Sequence, residues 1–159
     1  MEIIIKSATL DDIKKVQELN LKLFEKEHKE YDPLLNLDWV FSKEGKKYFS
    51  DKISKDEGCV LVALVDNQIV GYLCGGLMKS GAYQRLPSIV AAELETFFIL
   101  EEFRSKGIGK KLYDGFIEWC RMKKVDKVMV DTPTQNELAL KFYRDNNFKD
   151  YSLMLESDL

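Results

Sequence analysis

The sequence predicts an α/β fold built on a mixed sheet, and three observations carry that expectation. Short β-rich runs and helical stretches follow one another in the order β-α-α-β-β-β-α-β-α-β along 159 residues. A strand ending at Ile99 leads through a glycine-bearing turn into a long amphipathic helix and then a short strand, Lys127 to Val130. Such a crossover is expected to be right-handed. No linker, low-complexity tract or internal repeat divides the chain, so residues 1–159 are expected to form one domain.

The elements follow from local chemistry. Ile3-Ile4-Ile5 reads as a short strand. Thr9 is an N-cap with Asp11 and Asp12 in the first turn, and Ile13, Val16, Leu19 and Leu23 continue at helical spacing toward His28. Tyr31-Asp32-Pro33 breaks that helix. A weaker helical region carries Leu37, Val40, Phe41, Phe49 and Ile53, with Gly45 as an expected interruption.

Cys59 to Val65 and Ile69 to Cys74 are β-rich runs joined by Asp66-Asn67-Gln68, the pattern of a hairpin. Gly75, Gly76, Lys79, Ser80 and Gly81 suggest a loose, mobile connection. After the strand ending at Ile99, Ile108, Leu112, Phe116, Trp119 and Cys120 form the apolar face of a helix running to about Lys124. Asn136 to Asn146 is a further helix, and Phe148 to Leu155 is expected to close the chain as a strand.

Composition narrows the function. The apolar fraction of 45% is ordinary for a soluble globular chain. With 24 basic against 27 acidic residues the net charge is −3, so there is no basic field for nucleic acid, and a cationic substrate is mildly favoured. Cys59, Cys74 and Cys120 are scattered in apolar runs without a CxxC, beside a single histidine, which excludes a structural zinc site; no metal is expected. Buried free thiols suit a reducing compartment. Without a leader or an apolar run approaching ~18 residues, the expectation is a cytoplasmic protein with no membrane partner.

Arg104-Ser105-Lys106-Gly107-Ile108-Gly109 is the stretch richest in chemistry. Strand, glycine turn and helix N-terminus in that order make an anion site, because the first helical N–H groups are unpaired and the helix dipole favours negative charge. The alternative is an ordinary helix start with no ligand. The dinucleotide fingerprint GxGxxG fails for want of a third glycine, and the P-loop pattern fails because Lys110 is followed by Lys111.

These six residues match the Q/R-x-x-G-x-G/A signature of the GNAT N-acetyltransferases, and Leu94-Glu95-Thr96-Phe97-Phe98-Ile99 resembles that family's fourth strand. Asn136, Ala139, Phe142-Tyr143 and Phe148 resemble its later segment, so the resemblance spans nearly the whole chain. Asn147 stands where the family usually has glycine, and asparagine tolerates the left-handed conformation such a turn needs. The resemblance implies a mostly antiparallel sheet whose central parallel strand pair splays apart for coenzyme A, with helices on both faces.

It further implies acetyl-coenzyme A as co-substrate. Its pyrophosphate would lie on Arg104, Ser105, Lys106, Gly107, Ile108, Gly109 and Lys110, its pantetheine arm along the main chain of Phe98 and Ile99, and Asn136 would contact the pantetheine amide. Tyr143 matches the tyrosine that protonates the leaving thiolate; the alternative is a core tyrosine. Glu95 aligns with the glutamate of the diamine and polyamine acetyltransferase branch, to which the strand-four motif is most similar, and Glu93 with the position used by histone-type members.

Both glutamates share a strand face and are candidates for the base or for an acidic lining, Glu95 being favoured; the alternative is a solvated pair at a strand end. His28, Tyr31 and Asp32 are candidate acceptor-pocket residues, although a lone histidine in a Glu/Lys-rich segment reads equally as a solvated residue. Asp131, ending a strand, is ambiguous in the same way. The expected reaction is direct acetyl transfer to a primary amine, a small diamine or polyamine being favoured, in a ternary complex. Acetylation of a protein N-terminus or lysine, or non-catalytic sensing of acyl-coenzyme A, are the alternatives. A homodimer is expected, with Tyr151 to Leu155 as an exposed sheet edge.

Overall fold

The computed structural model describes residues 1–79, 86 and 88–159. Its strands are β1 (Ile3–Ser7), β2 (Gly58–Val65), β3 (Gln68–Leu77), β4 (Ala91–Ile99) and β5 (Lys127–Val130). They form one sheet in the order β1-β2-β3-β4-β5, antiparallel except for the parallel pair β4 and β5. The α-helices are α1 (Ile13–Glu30), α2 (Lys43–Ser54), α3 (Ile108–Met122) and α4 (Glu137–Asp145).

Each face of the sheet carries its own core. On one side α1 and α2 bury Val16, Leu19 and Phe49 against Val60, Val62 and Tyr72. On the other, the periodic face of α3, Ile108, Leu112, Phe116 and Cys120, packs on Leu61, Leu73, Ala92 and Leu94. The mixed α/β sheet with helices on both faces is therefore as expected. Asp66 and Asn67, with φ of 48° and 63°, make the hairpin turn between β2 and β3.

Three local expectations are corrected. Gly45 does not interrupt a helix: it lies in the first turn of α2, where its N–H reaches the Ser42 cap at 3.1 Å and a Cβ would stand 2.2 Å from the Trp39 carbonyl oxygen. Gly75 and Gly76 are not a loose connection but part of β3; a Cβ on Gly75 would come within 2.4 Å of the Glu93 carbonyl oxygen and 2.8 Å of Phe116. Close approach, not freedom, selects glycine there. Ser80 and Gly81 lie outside the described residues.

The third correction concerns the closing strand expected from Phe148 to Leu155. Phe148 packs on the core, but residues 149–159 form neither strand nor helix and are exposed. Strand propensity needs a pairing partner to become a strand.

Candidate active site

The site begins where two strands part. β5 pairs with β4 only over the register Ala91↔Lys127 to Leu94↔Val130, whereas β4 continues to Ile99, paired with β3 alone. Tyr72 faces Phe98 across that ladder, and the Leu100 N–H donates to the Val70 carbonyl at 2.9 Å. Main-chain groups alternate in direction along a strand, so those of Phe98 point to β3 and those of Phe97 and Ile99 to the open side. The Ile99 carbonyl accepts from Arg104 Nε at 2.9 Å on that side. Of the two residues expected to offer main chain, Ile99 has its groups on the open side, its carbonyl taken by Arg104, whereas Phe98 turns its groups to β3 and places its ring under the Arg104 guanidinium, 5.3 Å away.

The start of α3 stands against this open edge. Ser105 and Gly107 take left-handed φ of 59° and 80°, and Gly107 is the N-cap, with no side chain capping the first turn. The amides that begin α3 are therefore unclaimed by a cap, as an anion cradle requires. Ile108 is buried and pins the loop to the core. A Cβ on Gly109 would lie 3.4 Å from both Ile99 Cδ1 and Phe97 Cζ, which measures how closely the helix abuts the strand. Lys106 Nζ donates to the Glu102 carbonyl at 2.8 Å, and Lys110 is ion-paired with Asp114.

Glu95 is the extra residue of a bulge. Cys74 pairs with Thr96 but Gly75 with Leu94, so the register slips by one residue at Glu95. Its carboxylate accepts from the Tyr48 hydroxyl and is ion-paired with Lys52, both on α2. Tyr48 packs against Trp39 and Phe49, with its hydroxyl 3.7 Å from Cys74 Sγ and Lys52 Nζ 5.6 Å from its ring centroid. Burial above all holds the Tyr48 hydroxyl far above its ordinary pKa and pushes the Cys74 thiol up to about 12, which leaves Cys74 no role as a nucleophile. Tyr48 and Lys52 were missed by the sequence reading; an i, i+4 pair on a polar-looking helix was their only local signal.

Glu93 contrasts with its neighbour. It makes no hydrogen bond or ion pair among the described residues, and burial, then the charge of Glu95, raises its pKa, with Asp131 adding and Lys52 opposing. The two glutamates and Asp131 are thus electrostatically coupled.

Tyr143 enters from the opposite core. It is 7% exposed, with Phe142 and Phe148 each 5.4 Å away by ring centroids, and no hydrogen bond engages its hydroxyl among the described residues. Burial, then Tyr113 and Glu27, hold its pKa above the ordinary phenol range. The charge of Glu27, on α1, is felt at both Tyr143 and Tyr72. Burial raises the pKa of Glu27 itself, with Lys26 opposing, and no ion pair engages it among the described residues.

The remaining expected residues serve local structure. Asn136 Oδ1 accepts from the Ala139 N–H at 3.2 Å, capping α4 and leaving its Nδ2 donors unspent. His28 Nδ1 lies 3.3 Å from the Leu35 carbonyl, and Asp32 Oδ1 accepts from the Leu34 N–H at 3.0 Å. Tyr31 N–H bonds back to the Glu27 carbonyl at 2.8 Å. These contacts fold the turn after α1; none joins His28, Tyr31 or Asp32 to Glu93 or Glu95.

The family model described as Acetyltransferase (GNAT) family matches residues 14–148. A protein of Archaeoglobus fulgidus named as an uncharacterized N-acetyltransferase is 28% identical over 121 residues, 75% of this chain and 79% of the relative. The solved structure of a tetramutant of the BH1408 protein from Bacillus halodurans superposes with a TM-score of 0.83 at 22% identity, over 98% of this chain and 99% of that one. Aminoglycoside N-acetyltransferase AAC(6')-Iy, solved in complex with CoA, superposes with a TM-score of 0.77 at 16% identity, over 99% and 95% of the two chains. At such identities the two structures establish a shared fold.

Proposed function

This chain belongs to the acetyltransferase (GNAT) family and is an acetyl-coenzyme A-dependent N-acetyltransferase, and from that premise we propose that its acceptor is a small cationic primary amine of the diamine or polyamine class, acetylated by direct attack in a ternary complex. The observation that carries the acceptor class is the acidic cluster on β4 and at the end of β5, where Glu93, without an ion pair among the described residues, feels the charges of Glu95 and Asp131. A partly buried carboxylate without a partner, beside further negative charge, suits an ammonium group.

The co-substrate fits the residues present. The uncapped amides of Gly107 to Lys110, with Arg104, Ser105 and Lys106, would hold its pyrophosphate, the open main chain at Phe97 and Ile99 its pantetheine, and Asn136 Nδ2 its amide. When bound it supplies an acyl thioester and a thiol leaving group. Glu93 takes the proton from the acceptor ammonium; its raised pKa and lack of donors make it the better base of the pair. Glu95, held by Tyr48 and Lys52, acts as a fixed negative charge that orients the amine. Tyr143 keeps its proton across the physiological range and gives it to the departing sulfur.

Two results are expected here. Gly107→Val forces a β-branched residue to φ of 80°, a strain of about 1–3 kcal/mol, and should raise the KM for acetyl-coenzyme A about tenfold with little change in saturated turnover. Lys52→Met removes the cation that holds the pKa of Glu93 down, so the acidic limb of the pH–rate profile should move to higher pH.

Coenzyme A release measured over diamines, polyamines, aminoglycosides and peptides tests the acceptor class. Activity confined to peptides, or no turnover with any amine, overturns it. Cytoplasmic residence is supported by the three buried free cysteines. A homodimer completes the reading, supported by exposed Leu153, Met154 and Leu155.

A further inference from the structure

The proposed chemistry needs a primary amine seated on Glu95, and the folded chain already supplies one. Lys52 Nζ is ion-paired with Glu95, whose carboxylate also accepts from the Tyr48 hydroxyl. Tyr48 and Lys52 stand one turn apart on α2, so one helix face presents a hydroxyl and an amine to the same carboxylate. Lys52 Nζ also lies 2.9 Å from the position a Cβ would take on Gly76, and Gly76 is the cross-strand partner of Glu93. Residues directly opposite in an antiparallel pair carry their Cβ atoms on one face, about 5 Å apart. The lysine amine therefore fills the place of the side chain that would face Glu93, and glycine at 76 leaves it room. A single amine is set against the carboxylate that orients and the carboxylate that takes the proton.

Its position along β4 matters as much. Pairing of β4 with β5 ends at Leu94↔Val130, so Glu95 is the first residue of the open edge that runs on to Ile99. A co-substrate with its pyrophosphate at the start of α3 and its arm on Ile99 and Phe97 brings its acyl end toward Glu95. Neighbouring lysines face elsewhere. Lys47 and Lys55 bind Asp51 at 2.6 and 3.0 Å, and their side chains are 69% and 56% exposed, against 20% for Lys52.

We propose that Lys52 is an internal acceptor: with no free amine present, the enzyme transfers an acetyl group from acetyl-coenzyme A to its own Lys52 Nζ. The transfer uses the donor and the residue roles of the proposed function, on which it rests. Glu93 takes one proton from the Lys52 ammonium, the bond from Nζ to the carbonyl carbon forms, and the carbon–sulfur bond breaks. Tyr143 protonates the departing sulfur and is restored from solvent; Glu93 and the new amide nitrogen each release a proton to solvent. The products are Nε-acetyl-lysine and coenzyme A, with nothing oxidised or reduced. The acetylated chain loses a cation from its acidic cluster. Lys52 opposes the raised pKa of Glu93, so acetylation should move the acidic limb of the pH–rate profile to higher pH.

Incubating the purified full chain with acetyl-coenzyme A and no amine, then mapping its peptides by mass spectrometry, tests this. One acetyl group per chain is expected at Lys52, ahead of the more exposed Lys47 and Lys55, at a rate per chain that does not change with protein concentration. Label confined to the exposed lysines overturns the proposal. So does a rate per chain that rises with concentration, which means transfer between copies. In Glu93→Gln the labelling of Lys52 should fall about 10²-fold or more. An unchanged rate there marks unassisted reaction with the thioester and also overturns the proposal.

Coenzyme A release with a diamine is measured on the same preparation. Turnover of the diamine with Lys52 unlabelled overturns the internal transfer and leaves the proposed function standing. The absence of both turnover and label overturns both readings.

Discussion

Replacing Glu93 with glutamine is expected to lower turnover about 10²- to 10⁴-fold at neutral pH, the range a positioned general base contributes. The amide keeps the shape and burial of the side chain but cannot accept the proton. The acidic limb of the wild-type profile should lie above the ordinary carboxylate range, because burial and the charges of Glu95 and Asp131 raise the pKa of Glu93. In the variant that limb should vanish at equal acceptor concentration.

The same shift has a consequence for stability whose sign can be worked out. A carboxyl whose pKa is higher folded than unfolded binds more protons in the native state between the two values. Its contribution is therefore present at acid pH and lost as pH rises through the raised folded pKa. Glu93→Gln removes that loss, so the inactive variant should melt slightly higher than the wild type at neutral pH. A variant that melted lower and kept its turnover would remove Glu93 from the role of base.

Tyr143→Phe is the second large expectation, a fall in turnover of about 10²-fold or more from loss of the proton donor. The substitution removes one hydroxyl from a ring packed between Phe142 and Phe148, and no hydrogen bond is broken among the described residues. The fold should therefore be untouched, and the melting-temperature rise given by acetyl-coenzyme A should match the wild type. Since burial already holds the phenol above its ordinary pKa, Tyr143 should add no alkaline limb below that range. Unchanged turnover would leave Tyr143 as a core residue and no more.

Much of this site was legible in the chain because its signals are local. A glycine at position 107 announces the left-handed turn that starts α3, and the spacing of Ile108, Leu112, Phe116 and Cys120 predicts the face that α3 buries. Asn147 adopts the left-handed conformation expected of it. The face shared by Glu93 and Glu95 follows from strand alternation, although the bulge at Glu95 does not, since a bulge is defined by the register of a partner strand.

What was illegible is non-local. Tyr48 and Lys52 reach Glu95 across more than forty positions, and nothing in α2 announces which strand it will cover. Glu27 reads as one more polar residue of an amphipathic helix, although the structure half-buries it, while His28 and Asp32 fold the turn beside it. The strand expected after Phe148 does not form, because strand composition alone does not supply the pairing that makes a strand.

The bulge at Glu95 also divides β4 into two reading phases. Before it the even-numbered Ala92 and Leu94 face the α3 core; after it the odd-numbered Phe97 and Ile99 do. Struck from the chain, Glu95 would leave an uninterrupted alternation that serves both cores equally well. The packing thus has no use for this residue, and β4 carries one more amino acid than architecture asks. In this strand the fold and the chemistry are separable by a single codon.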